Sequence, residues 1–302
     1  MRSTSIHTLN ADKGLNKFKK VLYLFFYWVN NLFPYANLDE RLKFKDFKSL
    51  PWQKVWEATY PDSSAARKFS DLFWKSLPWE KIKEELGEIH IFDTGCGHGN
   101  YGARIEEGSD GRISSYTGVD AKRRPNWDVL SAEHPNFHFI ESSSNDISSL
   151  IPPETNLFIS QSAIEHFDED LAFFEQIKTF INQSDKPVIQ IHLFPAKATL
   201  PLYLFHGLRQ YTPRTISKIT QLFDNSSQFF LYSLGGKKSS KLHWKYFTWP
   251  VLITRKYVKP TFNVEVYEKE LRVVVESDIE NPSTSPLFWA LIIESHSKGK
   301  IW

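Results

Sequence analysis

Four glycines in one short turn are the part of this sequence whose spacing points most directly to chemistry. The chain has only 13 glycines in 302 residues, and the four are Gly95, Gly97, Gly99 and Gly102. The turn follows the mostly apolar run 89–92 and a single acid, Asp93. Glycine allows backbone N–H groups to approach a ligand closely, where a side chain would block the approach. The segment is therefore predicted to bind a ligand through its backbone.

A second acid, Asp120, ends the next predicted strand, residues 116–120. An acid about 20 residues beyond a glycine turn is placed to accept hydrogen bonds from both ribose hydroxyls of an adenosine ligand. The stretch from Gly97 to Gly102 also satisfies the G-x-G-x-x-G pattern of dinucleotide-binding proteins, a weak signal when taken alone. Asp93 would repel a pyrophosphate but suits a ligand that carries an ammonium and a sulfonium. We therefore favour the ligand without phosphate.

Three motifs in order resemble those of the class I S-adenosylmethionine-dependent methyltransferases, in particular the members that act on small molecules. They are the glycine motif 93–99, the pair Val119-Asp120 and the run 156–168, which contains Glu165-His166. The resemblance covers residues 88 to 194. It implies S-adenosylmethionine as the cofactor, S-adenosylhomocysteine as the product, and methyl transfer as the reaction.

The resemblance also implies roles for single positions. Asp93 is expected near the methionine amino group, Asp120 on the ribose, Ala121 near the adenine and Gln161 facing the methionine portion. Many relatives carry an acid for the adenine amino group where this chain has Ser143, so that contact is expected to pass to Ser144, Asn145 or a backbone group. The full predicted cofactor set is Asp93, Gly95, Cys96, Gly97, Asp120, Ala121, Ser143, Ser144 and Gln161.

Histidines that follow predicted strands are the candidates for a general base. Transfer from a sulfonium is an in-line displacement in which positioning supplies much of the rate, and a hydroxyl acceptor also benefits from a base. His166 is expected beside the transferred methyl group, and His206 lies with Arg209 in a segment where an acceptor could bind. His192 and Glu165 are further candidates. For each of them a purely structural role is the competing interpretation.

Charge and cysteine content narrow the classes of partner. Basic residues number 37 and acidic residues 35, and no clustered basic face indicates a nucleic acid. Cys96 is the only cysteine, which excludes a disulfide framework and a thiolate zinc site, and we expect it to be a small filler. No His, Asp or Glu spacing specifies a metal. We expect a cytoplasmic protein with a small-molecule acceptor, first a saccharide or lipid-linked glycan hydroxyl, and leave the oligomeric state open.

Alternating strands and helices predict the scaffold, an α/β fold with a Rossmann-like, doubly wound and mostly parallel sheet. All matched residues fall at strand ends, where such sheets bind ligands. The resemblance adds an antiparallel final strand. We expect an aromatic-rich helical cap over residues 1–87 and a cofactor-binding domain over 88–302, with an inserted segment near 235–285.

The segment 17–33 is basic and aromatic, and its apolar residues fall at helical spacing. The favoured interpretation is a helix that covers the main core with a buried stripe. The alternative is a helix that lies on a membrane surface. The predicted stripe consists of Leu22, Phe25, Phe26, Val29 and Phe33.

Two alternatives to an active methyltransferase stay open. One is a nicotinamide-dependent oxidoreductase that uses the glycines at 97, 99 and 102. The other is a binding protein that retains the fold without transferring a methyl group. The presence of Asp93, Gly95, Gly97 and Asp120 argues against the second alternative.

Overall fold

The computed structural model describes residues 17–143, 146–199, 202, 209–254, 263–299 and 301–302. Short runs of four to eight residues, most of them rich in apolar side chains, form the eight described strands. The strands are β1 (Leu42–Lys45), β2 (Ile89–Thr94), β3 (Ile113–Asp120), β4 (Phe137–Glu141), β5 (Leu157–Gln161), β6 (Val188–Pro195), β7 (Gln228–Leu234) and β8 (Phe288–Ser295).

Ten described α-helices connect or flank these strands. They are α1 (Lys17–Asn30), α2 (Ala65–Lys75), α3 (Trp79–Leu86), α4 (Asn100–Gly108), α5 (Asn126–Glu133), α6 (Asp170–Ile181), α7 (Pro213–Thr220), α8 (Lys237–His243), α9 (Trp249–Thr254) and α10 (Val264–Glu280). A single 3₁₀ turn, Ile164–His166, follows β5. Helices α2, α3, α4 and α10 pack on one face of the sheet, and α6 and α7 pack on the other.

The eight strands form one sheet in the order β1-β7-β8-β6-β5-β2-β3-β4. Strand β8 is antiparallel to both of its neighbours, β6 and β7, and every other pair of neighbours is parallel. All residues of β6 and β8 are buried, as expected for central strands with helices on both faces. The predicted Rossmann-like sheet with its antiparallel strand is confirmed.

The N-terminal segment differs from the helical cap that we predicted, because β1 joins the sheet at the edge beside β7. This strand is only four residues long and alternates apolar with basic side chains, of which Lys43 and Lys45 lie over the ring of Phe230. Lysines are common on edge strands because they discourage pairing with another chain. The division of the chain at residue 87 stays a prediction.

Helix α1 also differs from its prediction. The stripe expected to be buried is exposed at Leu22, Phe25, Val29 and Phe33, and the Phe26 side chain lies outside what the structure describes. The helix instead buries Tyr23 and Tyr27. The hydroxyl of Tyr27 hydrogen-bonds the backbone of Gln210, so the polar end of the buried ring is satisfied by a residue distant in sequence.

The segment between β7 and β8 is helical in its described part. Its longest helix, α10, buries Tyr267, Leu271, Val275 and Ile279, which recur every fourth residue and so share one face. The carboxylate of Asp278 on the same helix accepts hydrogen bonds from the backbone N–H and hydroxyl of Ser239, which fixes α8 against α10.

Candidate functional site

A cavity of about 830 Å³ opens at the carboxyl ends of β2, β3 and β5. The strand order reverses at this edge, since the chain proceeds from β2 to β3 on one side and returns to β5 on the other. Doubly wound sheets bind their ligands at such a reversal. The predicted site residues that line this cavity are Gly95, Cys96, Gly97, Asp120, Ala121, Ser143, Gln161 and His166. Ser144 and His206 lie outside the described residues.

Gly95 and Gly97, in the turn after β2, have different surroundings. Gly95 and Gly97 both have a positive φ, 76° and 56°. A Cβ on Gly95 would lie 2.4 Å from the Cβ of Ala163, so this glycine allows the turn to pack against the loop after β5. A Cβ on Gly97 would meet nothing within 4 Å. The backbone at Gly97 is therefore open to the cavity.

Asp120 connects the end of β3 to this turn. One carboxylate oxygen accepts a hydrogen bond from the backbone N–H of Gly97 at 2.9 Å, and the other accepts from the N–H of Lys122 at 3.2 Å. The Nε1–H of Trp127 donates to the carbonyl of Gly97 at 2.8 Å. Because Gly97 is held through both its N–H and its carbonyl, the open position of the turn has a fixed orientation.

Asp93 is buried two residues before Gly95 and is not among the residues that line the cavity. It is 2% exposed, and its carboxylate accepts a hydrogen bond from the hydroxyl of Tyr116 at 2.6 Å. The pKa of Asp93 is raised to about 7, chiefly by burial; the hydrogen bond from Tyr116 lowers it, and the charge of Asp120 raises it. The expected position of Asp93 near the methionine amino group, directly or through water, stays a prediction.

This raised pKa makes the stability of the fold depend on pH. A pKa above the usual carboxyl value means that the folded state favours the protonated acid, so the contribution of Asp93 is lost as pH rises from about 4 to about 7. An Asp93→Asn variant keeps a neutral group and avoids this loss. As pH rises across that range, we expect the free energy of unfolding of the variant, measured in urea, to increase relative to that of wild type by up to roughly 4 kcal/mol. If the free energies of unfolding of the two proteins change with pH in the same way, the pKa of Asp93 is not raised.

Two arginines that belong to none of the sequence motifs lie in the cavity wall. Arg67 comes from α2 and Arg104 from α4, and their guanidinium carbons lie 5.1 and 5.0 Å from the ring centre of Tyr101. Asp71 accepts hydrogen bonds from Arg104 and from the Tyr101 hydroxyl, both at 2.9 Å. No local signal marks Arg67, because α2 is placed at the site by its packing on elements distant in sequence, α4 and α8 among them.

A second, smaller cavity of about 170 Å³ shares part of its wall with the first. The shared residues are Arg67, Gln161, Ser162 and His166. The remainder of its wall combines the polar side chains of Ser64, Ser70 and Glu165 with the apolar ones of Ala66, Pro195 and Phe288. The two cavities therefore meet at the end of β5.

Gln161, the last residue of β5, is fixed by three hydrogen bonds. Its side-chain oxygen accepts from the Nε1–H of Trp74 at 2.9 Å, and its amide nitrogen donates to the hydroxyls of Ser70 and Ser162 at 3.3 and 3.1 Å. Ser162 has a φ of 51°, in the left-handed region that non-glycine residues seldom adopt. This conformation turns the chain sharply after β5, toward the turn that carries His166.

Arg209 holds that turn in place. Its guanidinium is fully buried and donates to the backbone carbonyls of Ile164 at 3.3 Å, Phe167 at 2.9 Å and Asp168 at 3.3 Å. The carboxylate of Asp170 lies 3.7 Å away and balances the charge. We therefore interpret Arg209 as a residue that positions the segment 164–168.

The remaining candidate bases fall in different environments. His166 lines both cavities, and the buried Glu165 lines the smaller one. His192 lines neither, since it lies in the core with its Nδ1 2.9 Å from the hydroxyl of Ser160. Burial lowers the pKa of His192 to about 3, so it is a neutral core residue. Cys96 is buried, and burial raises the pKa of its thiol, in keeping with the expected role as a filler.

Comparisons with known proteins give structural similarity only. No family model matches the sequence, and no curated protein matches it. The structure is similar to that of the plantazolicin methyltransferase BamL in complex with a triazolic desmethylPZN analog and SAH, at 13% identity over 80% of this chain and 94% of that chain, with a TM-score of 0.48. It is also similar to the [4+2]-cyclase SpnF, at 11% identity over 72% and 79% of the chains and a TM-score of 0.43. It is similar as well to the mitomycin 7-O-methyltransferase MmcR, at 14% identity over 63% of this chain and 67% of that chain, with a TM-score of 0.38.

Proposed function

We propose that this chain is an S-adenosylmethionine-dependent methyltransferase that acts on a small-molecule acceptor. The observation that carries the proposal is the placement of the Gly97 backbone and the Asp120 carboxylate side by side in one cavity at the reversal of the strand order. Backbone that is open beside an acid at a strand end suits a nucleoside whose ribose hydroxyls donate hydrogen bonds.

The residues that line the larger cavity fit this cofactor. Each oxygen of Asp120 accepts one backbone N–H and can accept a further hydrogen bond, which leaves capacity for ribose hydroxyls. The hydroxyl of Thr94 is buried at the cavity and makes no hydrogen bond with a described residue. Arg67 provides a positive charge suited to the methionine carboxylate. We assign recognition of the methionine portion to Arg67 and Gln161, because Asp93 faces Tyr116 instead.

When bound, the cofactor supplies a methyl group on a positively charged sulfur. The task of the chain is then to hold the acceptor in line and to exclude water. We propose that the smaller cavity holds the acceptor, because its wall is shared with the larger one at Gln161 and His166. His166 lies where the two meet and is the residue we propose to take the proton of an acceptor hydroxyl. Arg209 acts through the turn that it holds.

The wall of the smaller cavity supports a hydroxylated acceptor. Hydroxyl, amide and carboxylate groups at Ser64, Ser70, Gln161 and Glu165 offer both donors and acceptors of hydrogen bonds. A saccharide-type hydroxyl, free or on a lipid-linked glycan, remains our proposal for the acceptor. Incubation of the protein with a radiolabelled methyl donor and a fractionated cell extract tests it. Label in the small-molecule or lipid fraction is expected, and label confined to protein or RNA would refute it.

Calorimetry distinguishes the cofactor from its alternatives. We expect the folded chain to bind S-adenosylhomocysteine and to bind neither NAD nor NADP, because the N–H of Gly97 in the turn already donates to the Asp120 carboxylate and is not offered to a pyrophosphate. Binding of NAD or NADP instead would favour the oxidoreductase. Binding of S-adenosylhomocysteine without transfer to any fraction would favour a binding protein of the same fold.

A further inference from the structure

The outward face of α1 is apolar and largely exposed to solvent. Phe25, Trp28 and Phe33 are 53%, 58% and 65% exposed. Large contiguous apolar patches on a protein surface usually mark a site of interaction. The exposed apolar residues of this face, which we call the α1 face, are Phe18, Val21, Leu22, Phe25, Trp28, Val29, Leu32 and Phe33.

The members of the α1 face within the helix recur at intervals of three and four residues, so they lie along one side. The opposite side carries the buried Tyr23 and Tyr27. A helix of 14 residues is about 21 Å long, which is shorter than the roughly 30 Å of a bilayer core. Among the described residues, no helix is long and apolar enough to cross a membrane. The α1 face therefore suits a surface on which the helix lies flat.

Charge indicates which surface this is. The sequence has no acidic residue from Lys13 to Leu38, and Lys17, Lys19 and Lys20 occupy the first turn of α1. At the other end, the backbone N–H of Arg214 donates to the carbonyl of Pro34 at 2.8 Å, which places the basic helix α7 beside the end of this segment. Basic residues beside exposed Trp and Phe are typical of helices that bind anionic lipid surfaces.

We propose that α1 binds the surface of an anionic lipid bilayer through the α1 face. A second copy of the chain fits less well, because a symmetric pair would bring two basic segments together. The helix is also fixed to the protein body. Tyr27 hydrogen-bonds the backbone of Gln210, and the ammonium of Lys197 donates to the carbonyl of Asn31 at 3.1 Å. Binding would therefore orient the whole molecule, and it does not depend on the proposed methyl transfer.

Cosedimentation of the full chain with vesicles tests this proposal. The vesicles are phosphatidylcholine with and without phosphatidylglycerol, and the variants are the double substitution Phe25→Ser/Trp28→Ser and the control Val273→Ser. Val273 is 66% exposed on α10, so the control removes an apolar group elsewhere that is more exposed than Phe25 or Trp28. We expect wild type and control to bind the anionic vesicles and the double variant to bind at least about tenfold more weakly, since such binding scales with buried apolar area.

Three outcomes would overturn the proposal. They are no binding of folded wild type to anionic vesicles, equal binding of the double variant, and a wild-type dimer in light scattering that the double variant converts to a monomer without lipid. Thermal unfolding of each variant confirms that it is folded. Binding of S-adenosylhomocysteine is measured on the same samples, so failure of this proposal is distinguishable from failure of the proposed function.

Discussion

A Gly95→Ala variant is expected to lose roughly 2–5 kcal/mol of unfolding free energy, the sum of a left-handed backbone penalty and overpacking. The backbone penalty follows from the φ of 76° at this position. Overpacking follows because the new Cβ would lie 2.4 Å from the Cβ of Ala163, and both atoms are fixed to backbone. Urea denaturation followed by circular dichroism measures the loss.

Two further alanine variants separate the causes. Gly111 has a φ of 70°, and a Cβ added there would meet nothing within 4 Å, so Gly111→Ala should show the backbone penalty alone, about 1–2 kcal/mol. Gly97→Ala should resemble Gly111→Ala in stability but lower the affinity for S-adenosylhomocysteine, because its methyl group enters the cavity. Equal losses of stability for Gly95→Ala and Gly111→Ala would show that the contact with Ala163 is not tight.

The second large effect is expected at Asp120. An Asp120→Ala variant should bind S-adenosylhomocysteine roughly 10- to 100-fold more weakly, because a hydrogen bond to a charged group contributes about 1.5–3 kcal/mol. Part of the loss comes from the ribose contact that we propose. Another part comes from the turn, since Gly97 loses the acceptor that holds its N–H. Isothermal titration calorimetry gives the dissociation constants directly.

Two further substitutions help to separate the parts of the affinity loss at Asp120. Asp120→Asn retains an oxygen for the N–H of Gly97 but removes the charge, so its affinity should fall between wild type and Asp120→Ala. Asp128 is an exposed acid on the nearby α5 that pairs with Arg123. Asp128→Asn should leave the affinity for S-adenosylhomocysteine unchanged. If Asp120→Ala binds S-adenosylhomocysteine as tightly as wild type, the ribose assignment is wrong.

Much of the cofactor side of the site follows from local sequence. Three short strands can be recognised from their sequences. Asp120 and Gln161 end two of them, and Gly97 lies in the glycine turn after the third. Parallel strands bring such ends to one edge, so residues far apart in sequence meet there without any further information. The confirmed sheet is the reason that most of the predicted set lines one cavity.

Features that depend on which way a side chain faces were not predictable in this manner. A helical stripe has the same spacing whether it faces a core or a solvent, and in α1 the two buried tyrosines decide the orientation. Tyr27 is stabilised there by the backbone of Gln210, 183 residues away. Likewise, nothing near Asp93 in sequence reveals the hydroxyl of Tyr116, and nothing near Arg67 reveals the cavity that it lines.

The wall shared by the two cavities has a thermodynamic consequence. Because Arg67, Gln161, Ser162 and His166 border both spaces, occupation of one changes the surroundings of the other. Thermodynamic linkage makes this change reciprocal. If a nucleoside in the larger cavity changes the affinity of the smaller cavity for its ligand by some factor, that ligand changes the affinity for the nucleoside by the same factor. Substitution of Gln161 should therefore alter this coupling as well as the two separate affinities.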